Sequence, residues 1–462
     1  MNRLRSARSG WLLPLLCAIA LSAAPPARGE GAPRPLAPMP PPPAAASGAS
    51  GALDPSAATR AYLDLLSPER KARSDAYFEG GYWLQLWGFL YAVAVYLLLL
   101  ATGLSARMRN LAERVGWRWI QPGIYWVLFL TATSVLTLPL AVYQDWWRER
   151  RYGLSNLTFG GWMGEQGKAL LLGAILGAVA IAVLYAVIRR VQAALWLWAS
   201  VVAIAFQAFF MVIYPVAVVP VFNHPSRLAD ERVVRPVLAL ARANGIGTGD
   251  VWEIDASKQT TRVSANVAGF LGTERITLND NLLNRASLPE IEAIMAHEMG
   301  HYVLNHVYKT LLQLALVSGV GFWVVLRAFE RLRARRGARW QVRGIADPAG
   351  LPLLALVFTA FMFLVTPVLN TIIRVQEQEA DLYGLNAAAQ PDGFARAALD
   401  VSEYRKMEPG PIEEALFYDH PSGRTRIFSA MRWKAEHPET WTRPAGAPPA
   451  RAGSSDPAAA AP

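Results

Sequence analysis

Six long apolar runs decide what this 462-residue chain can fold into. They are Tyr82–Gly103, Trp119–Gln144, Ala169–Ile188, Ala193–Phe222, Thr310–Phe329 and Gly350–Ile373. Each approaches or exceeds the roughly 20 apolar residues that cross a bilayer. The buried helices of a large soluble core can mimic one or two such runs, but not six. Trp and Tyr stand near several run ends, where interfacial anchors belong. The sequence therefore predicts an integral membrane protein held in the lipid bilayer, with four spanning helices before residue 223 and two after residue 309.

The flanks read differently. Arg3, Arg5 and Arg8 precede the apolar stretch Trp11–Leu21, and Ser22-Ala23-Ala24 follow it. That order of charge, apolar core and small residues fits a secretory signal peptide over 1–24, or equally an uncleaved first membrane helix. The single cysteine, Cys17, lies inside it, so an intrachain disulfide is excluded, and so is a cysteine nucleophile after cleavage. Residues 25–80 are Pro- and Ala-rich at their start and predict a disordered linker, and 444–462 a disordered tail of similar composition. The net charge of +10 gathers largely in short loops between apolar runs, at Arg107, Arg109, Arg114 and Arg118, and from Arg331 to Arg343. That placement reads as membrane orientation. No basic stretch interleaved with stacking aromatics stands elsewhere, so no nucleic-acid partner is expected.

Chemistry is concentrated in His297-Glu298-Met299-Gly300-His301. On a helix, residues four apart share a face, so both imidazoles reach one metal ion. Glu298 then stands where it can take a proton from a water that the metal activates. The preceding residues, Leu288–Ala296, read as an amphipathic helix with Glu290 and Glu292 exposed. Upstream, Arg232–Asn244 predicts a helix, and Val251–Asp255, Arg262–Phe270 and Arg275–Asn279 predict short strands, with a turn at Gly272-Thr273. Only Asn305–Lys309 separates the motif helix from the next membrane run, which puts the metal at or below the membrane surface.

A hydrolytic zinc site takes a third protein ligand. Glu377 and Asp381 are four apart and face the same way on a helix, whereas Glu379 points elsewhere. One of the pair can bind zinc while the other orients a ligand imidazole. His306 follows His301 by five residues, about 140° around a continuous helix, which predicts a structural rather than a ligating role. His224 and His437 belong to no motif.

Four blocks in order now carry a resemblance: Ser264-Ala265-Asn266-Val267, the HEMGH helix, Glu377-x-x-Ala380-Asp381, and His420-Pro421 followed by Arg426. With Tyr152-Gly153-Leu154-Ser155-Asn156, they resemble the type I CAAX prenyl protease family of membrane zinc metalloendopeptidases, to which the HtpX proteases are more distantly similar. The resemblance covers about residues 80–435. It implies a multi-pass α-helical membrane protein with a zincin-like α+β metalloprotease domain split around the last two membrane helices. The expected domains are four membrane helices over 81–222 and a metallopeptidase domain over 223–443 that contains the helices near 310–329 and 350–373. The resemblance also implies one Zn2+ per chain, held by His297, His301 and Glu377, with Asp381 behind a ligand. It places Glu298 as general base, His420 and Arg426 as donors to the tetrahedral oxyanion, and Ala265 and Asn266 on a substrate-binding edge strand. Arg424 is the neighbouring alternative to Arg426.

The expected reaction is hydrolysis of peptide bonds in membrane-associated proteins, with processing of prenylated C-termini as the alternative. A transporter or scaffold with a structural zinc site is the rival of another class. Composition looks bacterial and suggests an inner-membrane protein. The resemblance implies a cytosolic catalytic domain, whereas the arginine count favours a periplasmic active site. The sequence does not fix oligomeric state.

Overall fold

A computed structural model describes residues 36–44, 53–191, 194–269 and 274–441. The signal-like segment with Cys17, the Gly272-Thr273 turn and the tail from 444 lie outside the described residues. Among the described residues, five helices are long and apolar enough to cross a membrane: Pro68–Ala101, Gln121–Arg151, Phe159–Arg190, His306–Trp340 and Pro348–Ala388. Of the six expected spans, five have such a helix among the described residues. The run Ala193–Phe222 yields only the shorter apolar helix Leu195–Phe210 and then changes winding, with a π turn over Tyr214–Val218. Pro215 and Pro220 explain the change, because each removes a backbone donor that a regular α-helix needs.

The linker expectation also needs correction. Pro55–Leu63 is a helix, started by Asp54, whose side chain accepts from Ser56 N, with proline at the first helical position. Its Ala58, Tyr62 and Leu63 enter a core shared with Phe394, Ala398, Ile427 and Met431. Tyr62 Oη donates to Asp392 Oδ1 at 2.7 Å. A helix with apolar residues one turn apart folds here because it has a core to join, which composition averaged over 25–80 hides.

The polar domain contains one four-stranded sheet in the order β1-β2-β4-β3. Its strands are β1 Pro225–Arg227, β2 Val251–Ile254, β3 Ala265–Ala268 and β4 Arg275–Asn279. β2 runs parallel to β4, while β1 and β3 are antiparallel to their neighbours. Ile276 and Leu278 of β4 point into a core with Val233 and Val237 of helix Glu231–Ala243. The motif helix, Leu288–Val303, adds Ile291, Met295 and Met299 to that core.

The loop after the second membrane helix clamps the approach to β3. Thr260 Oγ1 donates to Leu154 O at 2.8 Å, and Asn156 Nδ2 donates to Ser257 O at 2.6 Å. Arg262 joins the same junction by donating to Glu149 Oε2 at 2.6 Å, and Glu149 also accepts from Tyr77. The membrane helices therefore hold the edge of the sheet. On the other membrane face, Arg109 donates to Asp347 Oδ2 at 2.8 Å and Arg343 donates to Glu113 Oε1 at 2.6 Å. These pairs bring the two arginine-rich loops together.

Candidate active site

The motif helix begins with Ser287, whose backbone N–H donates to Glu290 Oε2 at 2.6 Å, leaving Glu290 buried. Glu292 is half-buried and accepts from Gln390. Both had been expected exposed. The reason is that this helix is covered on three sides, by the sheet, by helix Pro391–Asp400, whose Gly393 packs on Pro289 and Glu290, and by the long helix Leu351–Ala388, which runs out of the membrane beside it. Two glycines allow the approach. A Cβ on Gly384 would lie 2.8 Å from His297 N, and one on Gly300 would lie 3.3 Å from Ala380 Cα. The backbones pack in direct contact, and the carboxylates of the long helix reach the imidazoles.

Three side chains converge. His297 Nε2 and His301 Nε2 lie 3.2 Å apart. Glu377 offers Oε2 at 3.3 Å from the first and Oε1 at 3.7 Å from the second. Donor atoms of the three fall within 4.8 Å of one another. These separations match the roughly 3.3 Å edge of a tetrahedron of donors with bonds near 2.0–2.1 Å. Glu377 Oε2 is buried without a well-aligned hydrogen bond, which is what a ligand oxygen awaiting a cation shows. The donor set therefore fits a divalent metal such as zinc.

Each of the three is backed by further polar groups. His297 Nδ1 lies 2.8 Å from Asp381 Oδ1, at hydrogen-bond distance though off the ideal line. Arg426 donates to both oxygens of Asp381, with Nε to Oδ2 at 2.9 Å. This engages two of the three guanidinium nitrogens expected at the oxyanion and leaves only Nη1 outside the pair. Arg424, the alternative, stands two residues earlier on helix Gly423–Glu436, about 200° around it, and is exposed. His420 Nε2 approaches Glu377 Oε2 at 3.0 Å, and its Nδ1 lies 3.0 Å from Asp419 Oδ1. Arg374 on the long helix holds the loop before His420 by donating to Glu414 O at 2.9 Å and to Tyr418 O.

His306, expected about 140° around the helix from His301 in a structural rather than a ligating role, is 1% exposed and places Nδ1 at 2.9 Å from Nδ1 of His301. The 140° estimate assumed one continuous helix. The chain instead breaks at Asn305, whose φ of 56° resets the phase before His306 starts the next helix. An asparagine between two helical runs is the signal that sequence reasoning passed over.

Electrostatics agree with a cation site. Burial alone would lower the pKa of His297, but Asp381 and Glu377 more than reverse this and raise it to about 10. Burial and the neighbouring His297 push His301 down to about 3. Glu298 is half-buried, and burial raises its pKa above the ordinary carboxylate value. Beside them β3 forms the edge of the sheet, with Ala265 paired to Leu278 and Asn266 to Thr277.

Residues 227–434 match the model of peptidase family M48, and residues 56–224 match that of the CAAX prenyl protease N-terminal region, described by five membrane helices. The Bacillus subtilis metalloprotease YhfN is 31% identical over 345 residues, covering 73% of this chain and 80% of its own. CAAX prenyl protease 1 of Saccharomyces cerevisiae is 25% identical over 321 residues, covering 65% and 70% respectively. The crystal structure of S. mikatae Ste24p shares the fold with a TM-score of 0.67 at 21% identity, over 79% of this chain and 90% of that one.

Proposed function

This chain belongs to peptidase family M48, and from that premise we propose that it is a zinc-dependent endopeptidase of membrane-associated proteins with Glu298 as its general base. That it is an integral-membrane metalloendopeptidase follows from the family. The zinc, the residue roles and the substrate are the proposal. The observation that carries it is the convergence of His297, His301 and Glu377 within 4.8 Å, with half-buried Glu298 on the same helix as the two imidazoles.

His297, His301 and Glu377 would hold one Zn2+ per chain. Bound there, zinc supplies Lewis-acid polarisation of a carbonyl and lowers the pKa of a water towards neutrality. Glu298 takes the proton of the attacking water and returns it to the leaving amine. His420, fixed by Asp419, offers Nε2 as a donor where negative charge develops. Arg426 acts mainly through Asp381, holding the carboxylate that orients His297. The free edge of β3, at Ala265 and Asn266, is suited to pair with an extended substrate peptide.

Several relatives are named CAAX prenyl proteases, which keeps cleavage of prenylated C-termini as the second reading. The test is zinc content and cleavage, in detergent, of an unfolded membrane-associated protein and of a prenylated peptide. Wild type is expected to contain one zinc and to cut the unfolded protein. Cleavage of the prenylated peptide alone would overturn the broad-substrate reading, and a zinc-free active enzyme would overturn the metal assignment.

A further inference from the structure

We infer that His306, Glu379 and Lys309 form a positioning chain that fixes the His301 ring in its ligand orientation, an inference that rests on the zinc reading above. It begins with the two nitrogens of His301. Nε2 faces His297 Nε2 at 3.2 Å and Glu377 Oε1 at 3.7 Å, so this is the nitrogen that offers its lone pair to a metal. A neutral imidazole then carries its proton on Nδ1. Nδ1 lies 2.9 Å from Nδ1 of His306, which must therefore present a lone pair and carry its own proton on Nε2. His306 Nε2 lies 2.9 Å from Glu379 Oε2, an acceptor only. Lys309 Nζ donates to that same oxygen at 2.7 Å. With both rings neutral, one proton arrangement satisfies every contact, and it is the arrangement that leaves His301 Nε2 bare.

The same logic holds on the other side of the site with different residues. There, His297 is backed by the carboxylate of Asp381, which is paired with the cation of Arg426. Here, His301 is backed by His306, then by the carboxylate of Glu379 paired with the cation of Lys309. Ligand imidazoles oriented in this way bind metal more tightly, and loss of the partner typically costs 10- to 100-fold in affinity. His306 is 1% exposed, so bulk water does not stand in for it.

The chain also spans two membrane helices. His306 and Lys309 begin one, and Glu379 lies on the other. Relative movement of those helices at the membrane surface would be transmitted to a metal ligand.

The test uses the full-length protein in detergent, with Zn2+ affinity read by competition against a chromophoric chelator and ligand geometry read from the visible spectrum of the Co2+ form. His306→Leu is expected to weaken Zn2+ binding by about 10- to 100-fold and to change the Co2+ spectrum. His306→Asn, whose Oδ1 can accept where Nδ1 does, is expected to recover most of the affinity and a spectrum close to wild type. Glu379→Gln should fall between them. Wild-type affinity and spectrum in His306→Leu would overturn the inference. So would equal loss in the Leu and Asn variants accompanied by equal destabilisation of their metal-free forms, since that marks a packing role. Wild type that binds no zinc would overturn the metal reading itself, a result distinct from either.

Discussion

Glu298 and Asp400 are both carboxylates raised by burial, and they make opposite demands on pH. Glu298 must be ionised to accept a proton, so its raised pKa moves the acid limb of kcat/KM upward from the ordinary carboxylate range. Glu298→Gln is expected to keep its zinc, lose roughly 10²- to 10⁴-fold in kcat/KM and lose that limb, as measured by turnover across pH. Asp400 ends helix Pro391–Asp400, where burial and the neighbouring Glu290 and Glu403 raise its pKa from 3.8 to about 6. The folded state binds its proton more tightly than the unfolded state, so this site loses stability as pH rises from about 3.8 through about 6. Asp400→Asn should therefore raise the unfolding temperature at pH 7 and leave it nearly unchanged at pH 4. At this scale the sequence was legible where spacing alone sets geometry. His297 and His301 share a face because they are four apart, and so do Glu377 and Asp381. It was not legible at His306, because no spacing rule survives a break such as Asn305, nor at Arg426, whose bidentate partner lies 45 residues away in sequence.

Between elements, the decisive contact is the crossing of the motif helix and the long helix at Gly300 and Gly384. Glycine in a helix interior costs about 1 kcal/mol relative to alanine, so its use at the crossing needs a return, and close approach supplies it. At Gly384 an added Cβ would meet His297 N at 2.8 Å and His297 Cα at 3.0 Å, backbone atoms that cannot swing aside. Gly384→Ala is expected to force the helices apart, destabilise the fold by about 1–3 kcal/mol and weaken zinc binding, because Glu377 and Asp381 retreat with their helix. Thermal unfolding together with chelator competition checks both effects. A stable variant with unchanged zinc affinity would show that the helices tolerate wider spacing. The strands β2 and β4 and the helix Glu231–Ala243 were legible because apolar alternation and periodicity fix them locally. β1 has three residues, too few for a pattern, and exists because β2 offers it an antiparallel edge. Among the described residues of the expected strand 262–270, the ladder with β4 runs only over Ala265–Ala268, while Ser264 and Arg262 each add a carbonyl that accepts from Asn279.

Across the whole molecule, the two faces of the membrane carry different charge. The loop near 104–118 and the segment around 331–347 are tied by Arg109–Asp347 and Arg343–Glu113, so their arginines share one face. The metal site stands on the other, where the long helix leaves the membrane and the loop at 152–158 clamps the sheet. Exposed aromatics mark both levels, with Trp83, Trp87 and Trp147 on the catalytic side and Trp117 and Trp119 opposite. The arginine-rich loops are short and adjoin the spans, the setting in which positive charge dictates the cytoplasmic side. On this count we propose that the active site faces away from the cytoplasm, as it would in the periplasm of a bacterial inner membrane. A cysteine probe decides it. In a Cys17→Ser background, Arg432→Cys places a thiol on the exposed face of the last catalytic helix, and Arg335→Cys places one in the opposite loop region. A membrane-impermeant maleimide applied to intact spheroplasts is expected to label the first and to reach the second only after lysis. The reverse pattern would put the catalytic domain in the cytosol, and the arginines would then serve packing between the loops, as Arg109 already does with its buried partner Asp347.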